Sequence, residues 1–274
     1  MPSVALGRGF HGLVPTQAEE MTITILPLGA HEQHGPHLPF ETDAIIAEAI
    51  ARRAVAMLPD RPPVTLLPVE ATGYSPEHLD FEGSRSLTFD EAVNRWIGIG
   101  EEAWAAGSRK FVLFNAHGGN SPLTTIVVTE LRRRHPMLAV ATSWTRFGYP
   151  EGLIPQDERA IGIHGGLIET SVMLALRPDL VSMDKARDFA SAQSDFARDF
   201  THLRAYGPHA FGWLMQDLSP AGVTGNAALA SAELGEKLID HAARGFAELL
   251  VDIDRFDLGR LKEIMRRPPR PDRR

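Results

Sequence analysis

The chain of 274 residues contains no cysteine. This absence excludes thiolate nucleophiles, zinc sites with thiolate ligands and disulfide bonds, and it fits a reducing compartment. A G-x-S-x-G motif is also missing, so a serine triad of that type has no support in the sequence. Histidine, aspartate and glutamate remain as the side chains that can bind a metal or carry acid and base chemistry.

Positive charge and long apolar runs are also scarce. The formal net charge is −7 and the lysines and arginines form no basic stripe, which argues against nucleic acid as a partner. No apolar run approaches the ~20 residues that span a bilayer, and the first residues lack the charged and apolar regions of a signal peptide. These absences predict a soluble cytoplasmic protein that has no membrane partner.

Short apolar runs alternate with helical patterns along the chain, which predicts βαβ units around a mostly parallel sheet in an α/β fold. We predict strands over residues 22–28, 64–69, 110–114 and 137–144. We predict helices that begin at Asp43, at 89–106, after Ser121 as a capping residue, and at 167–176, 186–203 and 227–250, with a loop over 206–226. The organisation is one domain over 22–255, an N-terminal extension over 1–21 and a partly disordered basic tail over 256–274.

The densest polar cluster, GAHEQHGPH over residues 29–37, directly follows the first predicted strand. Ligands of open α/β sheets bind beyond the carboxyl ends of the strands, which is where this cluster lies. Glu32 and His34 are two residues apart, so they point to the same side of an extended segment, and a short loop can return Asp43 to them. These three side chains are candidate metal ligands, and a carboxylate such as Asp43 can bridge two cations.

Two further polar clusters lie in similar places. In NAHGGN over residues 115–120 the glycines permit close backbone approach, which leaves His117 and Asn120 pointing into a crevice. In HGGLIETS over residues 164–171, His164 lies in a loop and Glu169 lies about one turn into a helix. The combined imidazoles and carboxylates suit zinc, manganese or ferrous iron. A pair of such ions activates a bound water and polarises a carbonyl group, as amide hydrolysis requires.

The remaining histidines and several acids have simpler structural explanations. We expect five histidines to be hydrogen-bonded structural residues: His78, His135, His202, His209 and His241. We expect Glu41, Asp60 and Glu77 to be solvated loop charges. Four aromatic residues either line a pocket or pack in the core: Trp144, Phe147, Tyr149 and Trp213.

Three segments resemble the signature segments of the creatininase family. They are LPLGAHEQHGPHLPFETD over residues 26–43, FNAHGGN over 114–120 and HGGLIETSVMLALRPDLV over 164–181, and they occur in the family's order. GVTGNAALASAELGEKL over 222–238 resembles the family's C-terminal stretch. The resemblance implies a three-layer α/β/α sandwich with a mostly parallel central sheet, a binuclear metal site and a hexameric assembly.

Carried over residue by residue, the resemblance implies that Glu32, Asp43 and His117 hold one ion. His34 and Asp43 would hold the other ion, with Asp43 as the bridge. His164 would be the acid/base group or a substrate contact near the metals.

Two departures from the family pattern bear on the substrate. Creatininase itself has a glutamate ligand where this chain has Gly119, so Glu169 is the expected carboxylate of the second metal or a second acid/base group. Relatives often carry an acid where this chain has Leu167. Both departures argue against creatinine itself as the substrate, and neither affects the predicted hydrolytic metal site.

The ligand set and the resemblance together predict an enzyme that hydrolyses a C–N bond in a small cyclic amide, amidine-like ring or formamide. A hydroxide that bridges two divalent metals, zinc in preference to manganese or iron, would attack the carbonyl, and His164 or Glu169 would pass the proton to the leaving nitrogen. The predicted substrate contacts are Gly118, Gly119, Asn120 and Trp144. Two alternatives stay open: a metal-dependent lyase or isomerase acting on a carbonyl compound, and a non-catalytic metal-binding protein.

Overall fold

A computed structural model describes residues 22–59 and 62–264 of the chain. The predicted N-terminal extension, the predicted solvated charge at Asp60 and the tail from residue 265 onward lie outside the described residues. Among the helices of the described ranges, none is long and apolar enough to cross a membrane.

The centre of the fold is a four-stranded parallel sheet. Its strands are β1 (Ile23–Leu28), β2 (Val64–Leu66), β3 (Lys110–Asn115) and β4 (Leu138–Ser143), in the spatial order β2-β1-β3-β4. Leu28 pairs with Asn115, and Asn115 pairs with Ser143, so three strands end at one edge of the sheet. A short antiparallel pair, β5 (Asp188–Phe189) and β6 (Gly225–Asn226), lies outside this sheet. The predicted parallel sheet is confirmed.

Helices cover both faces of the sheet. They are α1 (Thr42–Met57), α2 (Phe89–Ala105), α3 (Ser121–Arg134), α4 (Gln156–Ile161), α5 (Leu167–Leu176), α6 (Gln193–Asp199), α7 (Met215–Leu218) and α8 (Ala232–Arg255). Ile23 and Ile25 of β1 pack with α1, α5 and α8, whereas Leu26 and Leu28 pack with α2 and α3. Because successive strand residues point to opposite faces, the sheet has an apolar core on each side. The three-layer α/β/α sandwich is confirmed.

Most predicted elements form near their predicted bounds. α5 covers the predicted residues 167–176, and α2 begins after Thr88, which forms a capping box with Glu91. β2 ends after Leu66, three residues earlier than predicted. Pro68 follows shortly afterwards and has no N–H group to continue the ladder of hydrogen bonds.

Four predicted elements are wrong in extent. Residues 186–203 do not form one helix, because β5 pairs with the distant β6 and only α6 is helical. Ser121 is the first residue of α3 instead of its cap, because a 3-10 turn over Gly118–Asn120 runs directly into the helix. α8 begins after Ser231 rather than at residue 227, since a separate 3-10 turn covers Ala227–Leu229. The predicted loop over 206–226 also contains α7 and β6.

Gly235 of α8 lies directly against the backbone of α5. A Cβ atom at this position would overlap the backbone carbonyl of Ser171 in α5. Since backbone atoms cannot turn away as a side chain does, any larger residue must push the two helices apart. Both helices contribute residues to the core that covers one face of the sheet.

We expect Gly235→Ala to lower the free energy of unfolding by roughly 1–3 kcal/mol, the usual cost of overpacking. Gly98→Ala in α2 is the matched control, because a Cβ there would meet nothing within 4 Å. The better helix propensity of alanine should make this control more stable by about 0.5–1 kcal/mol. Urea unfolding measures both values, and a Gly235→Ala protein as stable as the wild type would contradict the close helix contact.

Candidate metal centre

The polar clusters singled out in the sequence meet at one edge of the sheet. Six side chains come together there: Glu32, His34, Asp43, His117, His164 and Glu169. They lie in the loop after β1, the first turn of α1, the loop after β3, and the loop and first turn at the start of α5. Parallel strands bring their carboxyl ends to one edge, so segments far apart in sequence share one buried space.

Asp43 lies between two imidazoles at the middle of this cluster. Its Oδ1 is 3.5 Å from His34 Nε2, and its Oδ2 is 3.4 Å from His117 Nδ1. Ligand atoms of Asp43, Glu32 and His117 lie within 4.8 Å of one another, as do those of Asp43, His34 and Glu169. Asp43 therefore belongs to two adjacent groups of potential ligands, with one oxygen toward each.

Backbone carbonyls determine which nitrogen of each histidine faces the centre. A carbonyl oxygen can only accept a hydrogen bond, so the nitrogen beside it carries the hydrogen. The bonded nitrogens are His34 Nδ1, His117 Nε2 and His164 Nε2, at 3.0, 3.0 and 2.7 Å from their carbonyl oxygens. The opposite nitrogen of each ring faces the carboxylates, so its lone pair can bind a cation once any proton on it is released, as in metal-binding histidines.

Glu32 directs one oxygen at four imidazoles, one of which is that of His78, whose Nε2 lies 3.7 Å from it. Glu32 Oε1 is 3.1 Å from His117 Nδ1, 3.5 Å from His164 Nδ1 and 3.9 Å from His34 Nε2. Its other oxygen, Oε2, accepts a hydrogen bond from the Ser75 hydroxyl group. This bond leaves Oε1 as the oxygen that is available to bind a cation.

Glu169 approaches the cluster from the first turn of α5. Its Oε2 is 3.8 Å from His34 Nε2 and accepts a 2.6 Å hydrogen bond from the Gly165 N–H. This position suits a carboxylate ligand and also an acid/base group, the two roles that the sequence left open.

Three buried atoms of the cluster make no hydrogen bond within the described part of the chain: Glu32 Oε1, His34 Nε2 and Asp43 Oδ2. Buried polar atoms in proteins are nearly always paired, and carboxylates gathered away from water repel one another. Oxygen and imidazole nitrogen donors of this kind bind zinc, manganese and iron. The residues present therefore fit divalent cations.

Burial and neighbouring charges shift the proton affinities of these groups before any cation binds. Burial alone would lower the pKa of His34, but the nearby carboxylates, Asp43 first, raise it to about 9. Burial raises the pKa of Glu169 to about 7, although the charge of His34 opposes this. Burial, helped by the charges of His34 and His78, holds the pKa of His164 well below its usual range. Near neutral pH, His164 is therefore a neutral base and Glu169 exchanges a proton.

The turn Pro76–His78 also reaches the cluster, and the expectation of a solvated Glu77 is wrong. The Glu77 side chain is only 16% exposed, and its Oε1 is 3.4 Å from His117 Nε2. His78 is buried with its Nε2 3.7 Å from Glu32 Oε1. The sequence contained a usable signal, because this turn follows a strand predicted to run parallel to β1 and so ends at the same edge.

The amide of Gln33 fixes the orientation of the His78 ring. Gln33 Oε1 accepts a hydrogen bond from the Gly35 N–H at 2.8 Å, and Gln33 Nε2 donates to the Gly222 carbonyl. The same amide nitrogen lies 3.2 Å from His78 Nδ1, which must therefore be the acceptor. His78 Nε2 then carries the hydrogen and points it toward Glu32, so His78 offers a hydrogen-bond donor rather than a metal ligand.

The predicted substrate contacts lie in different settings. The buried amide of Asn120 donates to the Gly29 carbonyl at 3.0 Å and so ties two strand-end loops together. Trp144 is 2% exposed and belongs to the apolar core under α8. These positions favour framework roles for Asn120 and Trp144. Gly118 is exposed and Gly119 is half-buried in the turn after β3, and substrate contact at these two glycines stays a prediction.

The other aromatic candidates are spread over the molecule. Phe147 packs against the core under α8, and Trp213 joins a separate small apolar cluster. Burial, with a smaller contribution from the charge of Glu169, raises the pKa of Tyr149 to about 12. Tyr149 is therefore close enough to the candidate centre for the charge of Glu169 to raise the pKa of its hydroxyl group.

The remaining expected structural histidines lie elsewhere in the described ranges. His135 stacks on Trp104 with ring centroids 5.1 Å apart, and His241 Nε2 is 3.0 Å from the Phe147 carbonyl oxygen. The rings of His202 and His209 lie 5.7 Å apart on an exposed segment. The hydrogen bond of His241 agrees with the expected structural role. Nε2 of His135 is buried without a hydrogen bond within the described residues, and hydrogen-bonded roles for His202 and His209 stay predictions.

Known proteins resemble this chain over most of its length. The family model Creatininase, described as creatinine amidohydrolase, matches residues 14–250. A mycofactocin precursor peptide peptidase of Mycobacterium ulcerans (strain Agy99) is 29% identical, over 97% of this chain and 98% of the relative. A creatinine amidohydrolase of Pseudomonas putida is 28% identical, over 83% of this chain and 88% of the relative.

Solved structures of creatininase have the same fold. A manganese form is 27% identical with a TM-score of 0.67, and covers 85% of this chain and 91% of its own. A Zn–Zn form of a mutant creatininase is 27% identical with a TM-score of 0.68, and covers 85% of this chain and 90% of its own. These matches confirm the resemblance read from the three sequence segments. The chain therefore belongs to the creatininase family of amidohydrolases.

Proposed function

We propose that this chain hydrolyses the C–N bond of an amide at a centre of two divalent cations. The observation that carries the proposal is Asp43, whose two oxygens face His34 Nε2 at 3.5 Å and His117 Nδ1 at 3.4 Å. We assign Glu32, His117 and Asp43 to one cation, and His34, Glu169 and Asp43 to the other. Membership of an amidohydrolase family supports the hydrolytic reaction.

Zinc is our first choice for both positions, with manganese or iron as alternatives. Imidazole and carboxylate donors without sulfur suit all three ions. The similar creatininases include a manganese form and a Zn–Zn form. When bound, two such cations supply a water molecule of lowered pKa and polarise the substrate carbonyl, which together are worth several kcal/mol.

The chain's own acid and base groups handle the proton. His164 presents the lone pair of Nδ1 to the centre, because its Nε2–H is held by the Gln33 carbonyl. Glu169, whose pKa burial raises to about 7 in the absence of a cation, is the alternative acid/base group if it does not bind the second cation. In our proposal one of these groups accepts the proton of the attacking water and delivers it to the leaving nitrogen. The C–N bond breaks readily only when its nitrogen is protonated as it leaves.

We propose a small non-peptide amide, such as a cyclic amide or formamide, as the first class of substrate. The relative from Pseudomonas putida is named for creatinine, a substrate of this class. Gly119 and Leu167 depart from the family pattern in ways that argue against creatinine itself. A peptide amide bond is the second candidate, because the relative from Mycobacterium ulcerans aligns over 98% of its length and is named for a precursor peptide.

Metal analysis and a substrate panel in oxygen-18 water test this function. We expect protein purified without chelator or added metal to contain about two divalent ions per chain. The panel compares cyclic amides, formamides and short peptides, and hydrolysis must place one labelled oxygen in the new carboxylate. A product formed without the label would indicate a lyase or isomerase. A wild-type protein with one ion or none would contradict the two-cation centre.

A further inference from the structure

Glu77 is an acidic side chain near the centre that the proposed ligand set leaves unused. It lies in the 3-10 turn Pro76–His78, which follows β2. Its Oε1 is 3.4 Å from His117 Nε2, on the side of the ring that faces away from Asp43 and Glu32. Glu77 therefore contacts a proposed ligand at the ring nitrogen opposite the one that faces the cation position, and one of its oxygens also lies within 4.8 Å of ligand atoms of Glu32 and His78.

Two acceptors surround the outer N–H of His117. The Tyr74 carbonyl oxygen is 3.0 Å from Nε2, and Glu77 Oε1 is 3.4 Å from the same atom. Both favour the tautomer with hydrogen on Nε2, which leaves Nδ1 free to bind a cation. A carboxylate in this position also makes the imidazole a stronger electron donor, as carboxylate–histidine–metal arrangements do.

Gly119 provides the space in which Glu77 reaches His117. A Cβ at residue 119 would lie 2.5 Å from His117 Nε2, 2.7 Å from Glu77 Oε1 and 2.7 Å from the Tyr74 carbonyl oxygen. Real Cβ atoms do not approach other heavy atoms this closely. Any side chain at 119 must therefore displace the Glu77 carboxylate or shift the His117 ring, so residues 119 and 77 act on one contact.

We propose that Glu77 is a positioning residue that strengthens cation binding through His117, in a space that Gly119 keeps open. The proposal rests on the proposed two-cation centre, since it requires His117 to be a ligand. It assigns to Gly119 a steric role that is separate from the predicted contact with substrate.

The proposal is tested by measuring the zinc affinity of purified protein from which metal has been stripped, by competition with a fluorescent chelator. We expect Glu77→Gln, which keeps the shape and loses the charge, to weaken zinc binding by about 10–100-fold, the usual effect of removing such a partner. Gly119→Ala should weaken it by a similar factor, and the double variant should be no worse than either single variant, because both break the same contact. Glu82→Gln is the charge control, since Glu82 is exposed in the next loop.

A second measurement separates positioning from a general structural effect. We expect nitrogen-15 shifts of His117 in the zinc-loaded wild-type protein to show zinc on Nδ1 and hydrogen on Nε2, and the Nε2–H proton to move upfield and exchange faster with solvent in zinc-loaded Glu77→Gln, because a charged acceptor is lost. The thermal unfolding temperatures of the stripped proteins should agree within about 2 °C. Unchanged affinity in Glu77→Gln beside tight wild-type binding would overturn the role of Glu77 alone. Absence of zinc binding in the wild type would instead overturn the proposed function.

Discussion

Asp43→Asn is expected to remove both cations and to lower amide hydrolysis by roughly 10³-fold or more, because several kcal/mol of rate enhancement depend on them. Asparagine keeps the shape of aspartate but carries no charge, and one of its two oxygens becomes an NH₂ group that cannot bind a cation. Each oxygen of Asp43 faces a different histidine, at 3.4 and 3.5 Å. Whichever way the amide is turned, one half of the centre loses its ligand and the other half loses the shared charge.

Glu41→Gln is the matched control for this experiment. Glu41 precedes Asp43 by two residues at the start of α1, makes no side-chain cap to the helix, and has a side chain that is 54% exposed. The Glu41→Gln protein should therefore keep its cations and its rate of amide hydrolysis. Elemental analysis of both variants and the rate on the best substrate of the panel give the comparison. An Asp43→Asn protein that retains two ions and most of its rate would show that Asp43 does not bridge the centre.

The regular part of the fold follows from local sequence signals. The helix α5 has its predicted bounds because Gly166 precedes it and the Arg177-Pro178 pair ends it. The segment 186–203 has an amphipathic pattern that favours a helix, yet residues 188 and 189 pair with residues 225 and 226. Pairing between segments so far apart in sequence leaves no signal in the local pattern of residues, so that pattern alone predicts the wrong element.

The residues of the candidate centre also differ in whether local sequence signals predict them. Glu32, His34 and Asp43 can be found from the sequence because they fall within one stretch of twelve residues that follows β1. Glu77 and His78 are separated from Gln33 and His117 by about 40 positions, and single acids and histidines are usually structural or solvated. Their contacts exist because β2 lies beside β1 in the sheet. Spatial order of strands, rather than residue type, is the information that the sequence patterns lack.

His164→Asn is expected to keep both cations and to lower kcat by roughly 10²–10⁴-fold, the usual contribution of a general acid or base. The backbone of His164 is held independently of its side chain, because its carbonyl accepts a 2.9 Å hydrogen bond from the Thr224 N–H. Removing the imidazole therefore deletes the Nδ1 lone pair near Glu32 and should leave the surrounding chain in place. His202→Asn, at an exposed histidine, is the matched control.

Metal content decides between the roles of His164 and Glu169. The ligand atoms of His164, Glu32 and His34 also lie within 4.8 Å of one another, so a cation lost with His164→Asn would make His164 a ligand and contradict its acid/base role. Glu169→Gln tests the other group in the same way. If this variant loses one cation, Glu169 is a metal ligand. If it keeps two cations and is slow, Glu169 transfers the proton. If both variants keep two cations and are slow, the two groups share the proton, which agrees with the lowered pKa of His164 and with the pKa of Glu169 raised to about 7.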